Sequence, residues 1–595
     1  MLSQANYYLK IAGLLLIILI IIFLLYYLKK STNTFVFLLS LITWSFNAFI
    51  IILLPLDIYL SHYEKQDILV NKIKNNIRLL YSIIYWTTMV CSWILIPLLS
   101  KYEKSGYFTR REKLFYSIKS NLLFYAIIAL IGLGLLIWGY YKLSEEYKTF
   151  FIKNCFNLSY LYGFFFLILL LGYSIPKLPK NIYDKIFYEK QIKKIENESK
   201  NLKHKLDKVN KELTDDYYKL VDIKEQIEIN RDLTSKKLEE LNDKIKSRIL
   251  SKEEQKILLY EKLLDKKINY IRKNADTFKI KIKKINFKSE EISLKNIPDK
   301  IASLNMNLKE NELDNLSLQY QLQSSYNEWC FLKTIIIKGK KYKSSLIDQS
   351  LSESKIKLME SEDFIPIKNI SKLKILYYMK IHPLILFIFS VISLLIGIFI
   401  FFAEICISLP WKISIFSILN YWTGNVFIIY IFIISSVIIF LLMCLYALMN
   451  FKLTKNYRMH GPRQTDAVSI LYFTSSFTRI IFPLYLNILF MINHGTDSTK
   501  KTCLEKDFGI NINNHIFLII SKYSPLVLIV FVILNTFGVF SKIIDCFSVE
   551  SFSSLFFDKN KNSEINDGYE YLIEINKKNK GRLLKDSITG QLIDS

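Results

Sequence analysis

The residues best placed to do chemistry fall in one run, "HGPRQTDAVSILYFTSSFTRIIFPLYLNIL", residues 460–489. It starts polar, with Gln464, Thr465 and Asp466, and then turns apolar. Arg479 stands in the middle of the apolar part, after Thr474, Ser475, Ser476 and Thr478 and before Pro483 and Asn487. A guanidinium stays charged at any physiological pH and offers five N–H donors. It can bind an anionic ligand along a polar track, or it can serve as a structural clamp on open backbone carbonyls. Pro483 points to the second use, because it has no N–H for the carbonyl four residues earlier. Arg479 and Asn487, each four residues from the proline, are the expected donors to carbonyls freed in this way. A carboxylate partner must come from elsewhere. Asp466 is thirteen residues away, roughly 20 Å along a helix, which leaves Asp57 and Glu404 as candidates, both nearer the outer face.

Other chemistry finds little support. The six histidines (62, 204, 382, 460, 494 and 515) form no HExxH motif and no close pair. The seven cysteines (91, 155, 330, 406, 444, 503 and 546) show no CxxC and read as free thiols, with lipidation of Cys546 as the alternative. There is no P-loop, no GxSxG and no plausible pair of carboxylates. No catalytic residue, metal or cofactor is expected. The formal charge of +26 would suit nucleic acid, but the lysines alternate with Glu and Asp as on solvated helices, and no recognition motif accompanies them.

The elements that carry these residues come in apolar blocks of about 20 residues, enough to cross a bilayer core of about 30 Å. Nine spans are expected, at 9–28, 34–58, 79–100, 120–140, 155–174, 381–408, 418–449, 467–492 and 518–541. The first reads as a retained helix and not a cleaved leader. The fold class is therefore an all-α polytopic membrane protein. Its expected parts are a five-span region (1–174), a cytoplasmic helical segment (175–378), a four-span region (379–543) and a largely disordered tail (544–595). Lys and Arg are denser in the loops after spans 1, 3, 5 and 7, which puts the N-terminus outside or in a lumen and the C-terminus in the cytoplasm. Lysines at the membrane ends suit an anionic leaflet, so membrane lipids are expected partners. Trp44, Trp86, Trp93 and Trp138 read as members of ordinary interfacial belts.

The long segment is rich in Lys and Glu and carries heptads. Ile195, Leu202, Val209 and Ile223 take one position, and Leu206, Leu213, Leu220 and Ile227 the other, with Asp216 interrupting. A stutter follows at Leu238, continuing to Leu241 and Ile245. Tyr260 to Ile268 and Leu304 to Leu322 suggest two more helices, and 279–296 reads as loop. Two arrangements fit: a coiled coil that docks a partner or a second copy, or an antiparallel hairpin that packs on itself.

Four stretches carry a resemblance: "LLPLDIYLS" (53–61), "IYWTTMVCSWILIPLLSKYEKSGYFTRREKL" (84–114), "LLLGYSIPKLP" (169–179), and the opening run with its sequel "YSPLVLIVFVILNTFGVFSKII" (523–544). Together they resemble the limb-region-1-like membrane protein family, and most closely its limb region 1 domain-containing protein 2 branch. That branch has a QTD before span 8, an Arg within it and a P-L-x-L-N run, matched here by Gln464, Thr465, Asp466, Arg479, Pro483, Leu484, Leu486 and Asn487. It usually has two consecutive prolines, and Phe482 replaces the first. The resemblance implies nine spans, an outside N-terminus and a non-enzymatic role as a receptor-like regulator or scaffold in membrane-protein signalling or trafficking. The competing reading from the residues alone is a transporter or lipid-handling protein centred on Arg479. The cobalamin-transport-type branch would imply a third role, escort of a lysosomal exporter.

Overall fold

A computed structural model of the chain describes residues 15, 17–29, 32–62, 68–142, 158–239, 262–275, 297–344, 370–408, 426–450, 459, 463, 465–493, 502–504, 515–539 and 569–576. Gln464, Leu241, Ile245, Tyr260 and the stretch 279–296 lie outside them. The chain divides into two compact units. One comprises Met1–Glu103, Ser117–Ile182 and Ile388–Ser554; the other comprises Lys104–Tyr116, Tyr183–Phe387 and Leu555–Ser595.

The first unit holds α1 (Ile17–Tyr27), α2 (Thr34–His62), α3 (Ile68–Val90), a π-helical turn (Cys91–Leu95) and α4 (Ile96–Lys104). It also takes in most of α5 (Arg110–Lys142) and most of α6 (Leu158–Asp184). Among the described residues, six helices are long and apolar enough to cross a membrane: Thr34–Ile58, Val70–Lys104, Tyr162–Asp184, Lys372–Cys406, Phe432–Asn450 and Ala467–Leu489. They match six of the nine expected spans. α1 and Leu526–Thr536 are apolar but shorter, and the span expected at 120–140 lies within α5. Ala467–Leu489 is the central helix: 83% of its apolar stretch is buried in protein, against 17% for Lys372–Cys406.

Prolines inside these helices leave carbonyls without their usual N–H, and neighbouring helices approach closely there. Pro176 cannot serve the carbonyl of Gly172, which accepts Asn535 Nδ2 at 3.2 Å. Pro179 cannot serve that of Ile175, and Gly397 lies against it. Lipid supplies no donors, so such sites persist only where protein covers them.

The second unit is built on two long helices, α7 (Tyr188–Glu239) and α9 (Ile297–Ser344), with α8 (262–273) between them in sequence. They run antiparallel, since the partner's number falls as the other rises. Glu196 accepts Trp329 Nε1 at 2.9 Å, Asn210 bonds Asn315, and Asp216 accepts Asn311 Nδ2 at 3.2 Å. Leu213, Leu220, Ile223 and Ile227 are buried with Leu264, Ile268, Ile301, Leu304 and Leu308. Leu206 and Ile195 are buried, and Leu202 and Val209 half-buried. The heptad face is therefore turned onto the chain's own helices.

Two short pieces join this unit. Gly106 lies so close to α9 that a Cβ would meet the Ala302 backbone; its carbonyl accepts Asn305 Nδ2 at 2.7 Å, and Tyr107 OH donates to Asp299 at 2.9 Å. Burial, with the Asp299 carboxylate, pushes the Tyr107 hydroxyl up to about 12. The second piece comes from the tail. Within the tail taken as largely disordered, residues 569–576 form a helix, α15. Leu572 and Ile573 are buried among Ile192, Ile195, Trp329, Cys330 and Leu332. The reason is local: Tyr569, Leu572 and Ile573 recur at helical spacing and give even this polar region an apolar face, and Asn576, on the same face, donates to Cys330 Sγ at 3.7 Å.

Candidate functional site: an arginine held in the membrane seam

Three helices meet at Arg479. It lies midway along α13 (Ala467–Asn493), facing the π turn that joins α3 to α4. A π turn shifts the hydrogen-bond ladder by one residue and turns carbonyls toward neighbours. The Ser92 carbonyl accepts Arg479 Nη2 at 3.0 Å and Ser475 Oγ at 3.2 Å. The Trp93 carbonyl accepts the Tyr125 hydroxyl from α5. The guanidinium carbon stands 4.2 Å from the centre of the Trp93 ring and 5.6 Å from that of Tyr162 on α6. A charge at mid-bilayer costs about 2.5–3.5 kcal/mol on insertion scales. A desolvated cation–π contact returns about 2 kcal/mol and a charged hydrogen bond about 1.5–3 kcal/mol, of the same order as that cost, while the Arg479 Nε is buried without a hydrogen-bond partner.

Pro483 completes the arrangement from behind. It leaves the Arg479 carbonyl without a donor from its own helix. Gly163 of α6 packs on that carbonyl; a Cβ at 163 would collide with it and come within 2.9 Å of Pro483 Cγ. The proline and the glycine together let α6 and α13 touch backbone to backbone, as small residues do in membrane bundles. The cleft beside Arg479 is lined by Tyr85, Thr88, Met89, Ser92, Trp93, Thr478, Phe482 and Pro483 and encloses about 30 Å³, room for about one or two waters.

The other expected site residues go elsewhere. Asp466 caps α13, its Oδ2 accepting the Val468 and Ser469 N–H groups at 3.1 and 3.2 Å, where the helix dipole favours an anion. Thr465 is wholly buried and its backbone pairs with the end of α1: its N–H donates to the Tyr27 carbonyl at 3.1 Å, and its carbonyl accepts Lys29 N–H at 3.2 Å. Asp57 is not a partner of Arg479. Its two oxygens accept the backbone N–H groups of Cys503 and Leu504, each at 2.9 Å. Glu404 is buried and accepts Asn487 Nδ2. Asn487 is thus engaged by a carboxylate and not by a proline-freed carbonyl, and Arg479 serves a carbonyl of another helix. Along α2, Trp44 Nε1 donates to Thr474 at 2.9 Å and Asn47 Nδ2 to Thr478 at 2.8 Å. Trp44 also stacks on Phe477, so Trp44 and Trp93 hold the seam in place of an interfacial belt.

This arrangement has relatives. The family model described as LMBR1-like membrane protein matches residues 6–540. The chain belongs to this family. A G-protein coupled receptor-associated protein LMBRD2 of Caenorhabditis briggsae is 24% identical over 180 residues, 26% of this chain and 27% of that protein. An LMBR1 domain-containing protein 2 homolog of Drosophila melanogaster is 33% identical over 106 residues, 18% of this chain and 15% of that protein. A Dictyostelium discoideum homolog A of the same name is 25% identical over 104 residues, 18% of this chain and 14% of its own. The matched stretches thus span about a quarter or less of these relatives. No solved structure matches the chain. For this LMBR1-like protein the residues that sequence reasoning missed are Ser92, Trp93, Tyr162 and Gly163. Only Trp93 carried a signal, as an aromatic inside a span, and it was assigned to the belt.

Proposed function

We propose that this integral membrane protein is a non-enzymatic docking protein that associates with other membrane proteins of the receptor class through its second unit. The antiparallel α7–α9 pair carries the reading. It turns its apolar residues inward and leaves long charged faces outside, a surface suited to protein contact. The heptads, spent within the chain, are not the docking face; the outer faces are. The family and the receptor-associated names of its relatives support the same role. The Lys and Arg pattern supports a cytoplasmic position for this unit, with the N-terminus outside or luminal, in a plasma or endolysosomal membrane. The test replaces residues 211–314 with a short Gly-Ser linker, joining α7 to α9 where Asn210 already meets Asn315. The chain is expected to elute as a single species from detergent and to lose co-purification of a co-expressed seven-helix receptor. Receptor capture at the unaltered level would sink the proposal.

Transport or lipid handling at Arg479 is the second reading, and the small cleft speaks against it. Phe477, Thr478 and Phe482 are all buried. Single cysteines at these positions, in a cysteine-free chain, are expected to resist a membrane-impermeant thiol reagent from both sides. Labelling at any of them would put transport ahead.

A further inference from the structure

We propose that residues 372–381, with the turn at 184–190, form a binding surface for anionic phospholipid headgroups. The argument starts from length. The span Lys372–Cys406 has 35 residues, about 52 Å at 1.5 Å per residue, whereas the hydrocarbon core takes about 30 Å. About 15 residues must lie among or beyond the headgroups. The cations mark which end: Lys372, Lys374 and Lys380 all lie in its first nine residues.

This end is built unlike the rest of the helix. α10 (Lys372–Leu376) is capped by Ser371, whose hydroxyl accepts the Lys374 N–H. A π-helical turn (Tyr377–Ile381) follows, and only then α11 (His382–Ser408). Leu373 is 79% exposed, and Leu376, Tyr377, Met379 and Ile381 are exposed with it. The three lysines are exposed among them. Water is a poor solvent for that mixture. The boundary between headgroups and acyl chains suits it, because apolar and aromatic side chains sink while lysines reach outward.

A second segment brings more charge to the same place. The Tyr188 hydroxyl donates to the Tyr378 carbonyl at 2.7 Å and lies 2.9 Å from His382 Nδ1. This fixes the 184–190 turn against the π turn. Lys185 lies close enough to His382 to act on it electrostatically, and Lys190 stands over the exposed Phe187 ring. The two segments thus bring together five lysines and two acidic residues, Asp184 and Glu189. Lipid fits better than a soluble anion, which would leave Leu373 and its neighbours in water, and the surface continues directly into a membrane-crossing helix.

The test uses the full chain in nanodiscs of phosphatidylcholine alone or with a fifth of phosphatidylserine, reading retained anionic lipid by native mass spectrometry. Each lysine near an anionic surface is worth about fivefold. The variant Lys185→Gln, Lys372→Gln, Lys374→Gln, Lys380→Gln should therefore lose anionic-lipid preference by at least about tenfold. The control variant Lys262→Gln, Lys266→Gln, Lys273→Gln, Lys300→Gln removes equal charge elsewhere in the same unit and should keep it. Equal retention by the first variant and the unaltered chain, or equal loss by the control, overturns the proposal. If the first variant does not fold, a salt titration of the unaltered chain decides. Preference should fall steeply between 0.05 and 0.5 M salt (trial concentrations, about the range over which screening sets in), and a flat response overturns the proposal.

Discussion

Between α2 and α13, Trp44, Asn47, Thr474 and Thr478 exchange hydrogen bonds inside the bundle. Between α7 and α9, Leu213, Leu220, Leu304 and Leu308 meet inside, with charges such as Lys224 and Asp265 paired toward solvent at 2.7 Å. Both interiors are mostly apolar and both carry buried polar pairs, such as Glu196 with Trp329 in the second unit; what differs is which of the two does the holding, and the reason is the solvent. Lipid tails are as apolar as leucine, so burying leucine between membrane helices gains little, and close backbone contact with buried polar groups does the holding. In water, removal of apolar surface is the main driving force. Buried polar pairs and close backbone contact thus weigh more in the membrane unit, and apolar burial weighs more in the other.

The largest effect should come from breaking close approach in the membrane unit. Gly163→Val drives a branched side chain into the Arg479 carbonyl, and overpacking of this kind costs about 3 kcal/mol or more. Thermal unfolding in detergent should show a large drop in midpoint or no folded protein, and an unchanged midpoint would deny the contact. Leu213→Ala attacks the other interior. It should cost about 3 kcal/mol and raise hydrogen exchange in α7 and α9 while leaving α13 protected; uniform deprotection would mean that the units do not fold as described. Arg479→Lys keeps the charge but loses the planar stack on Trp93, for about 1–2 kcal/mol. A neutral result would show that charge alone suffices. Lys224→Ala, at an exposed ion pair, should change stability by about 0.5 kcal/mol or less. A larger loss in urea titration would make surface charge a structural element of the second unit and blur the contrast.

Much of this is legible in the sequence, for particular reasons. Hydropathy alone picks out spans such as Ala467–Leu489, because length and apolarity are local properties. The heptads from Ile195 to Ile227 were readable, but their partner was not, since periodicity gives a face and not what covers it. Arg479 was conspicuous as a charge. Its partners were hidden, because Ser92 lies 387 residues away in sequence and a π turn has no residue code of its own. Asp57 and Glu404 were expected near the arginine because opposite charges attract. In the bundle, backbone N–H groups and an amide claim them first.

The docked α15 has a consequence for how the protein is made. Trp329 is wholly enclosed, and part of its cover comes from Tyr569 and Leu572, which leave the ribosome long after α7 and α9. At about 5–20 residues per second, the helical pair waits many seconds with that apolar face open. Completion of the second unit therefore reports that translation has passed residue 576, and a chain cut short before that point exposes the face by which a cell's quality-control machinery recognises unfinished proteins.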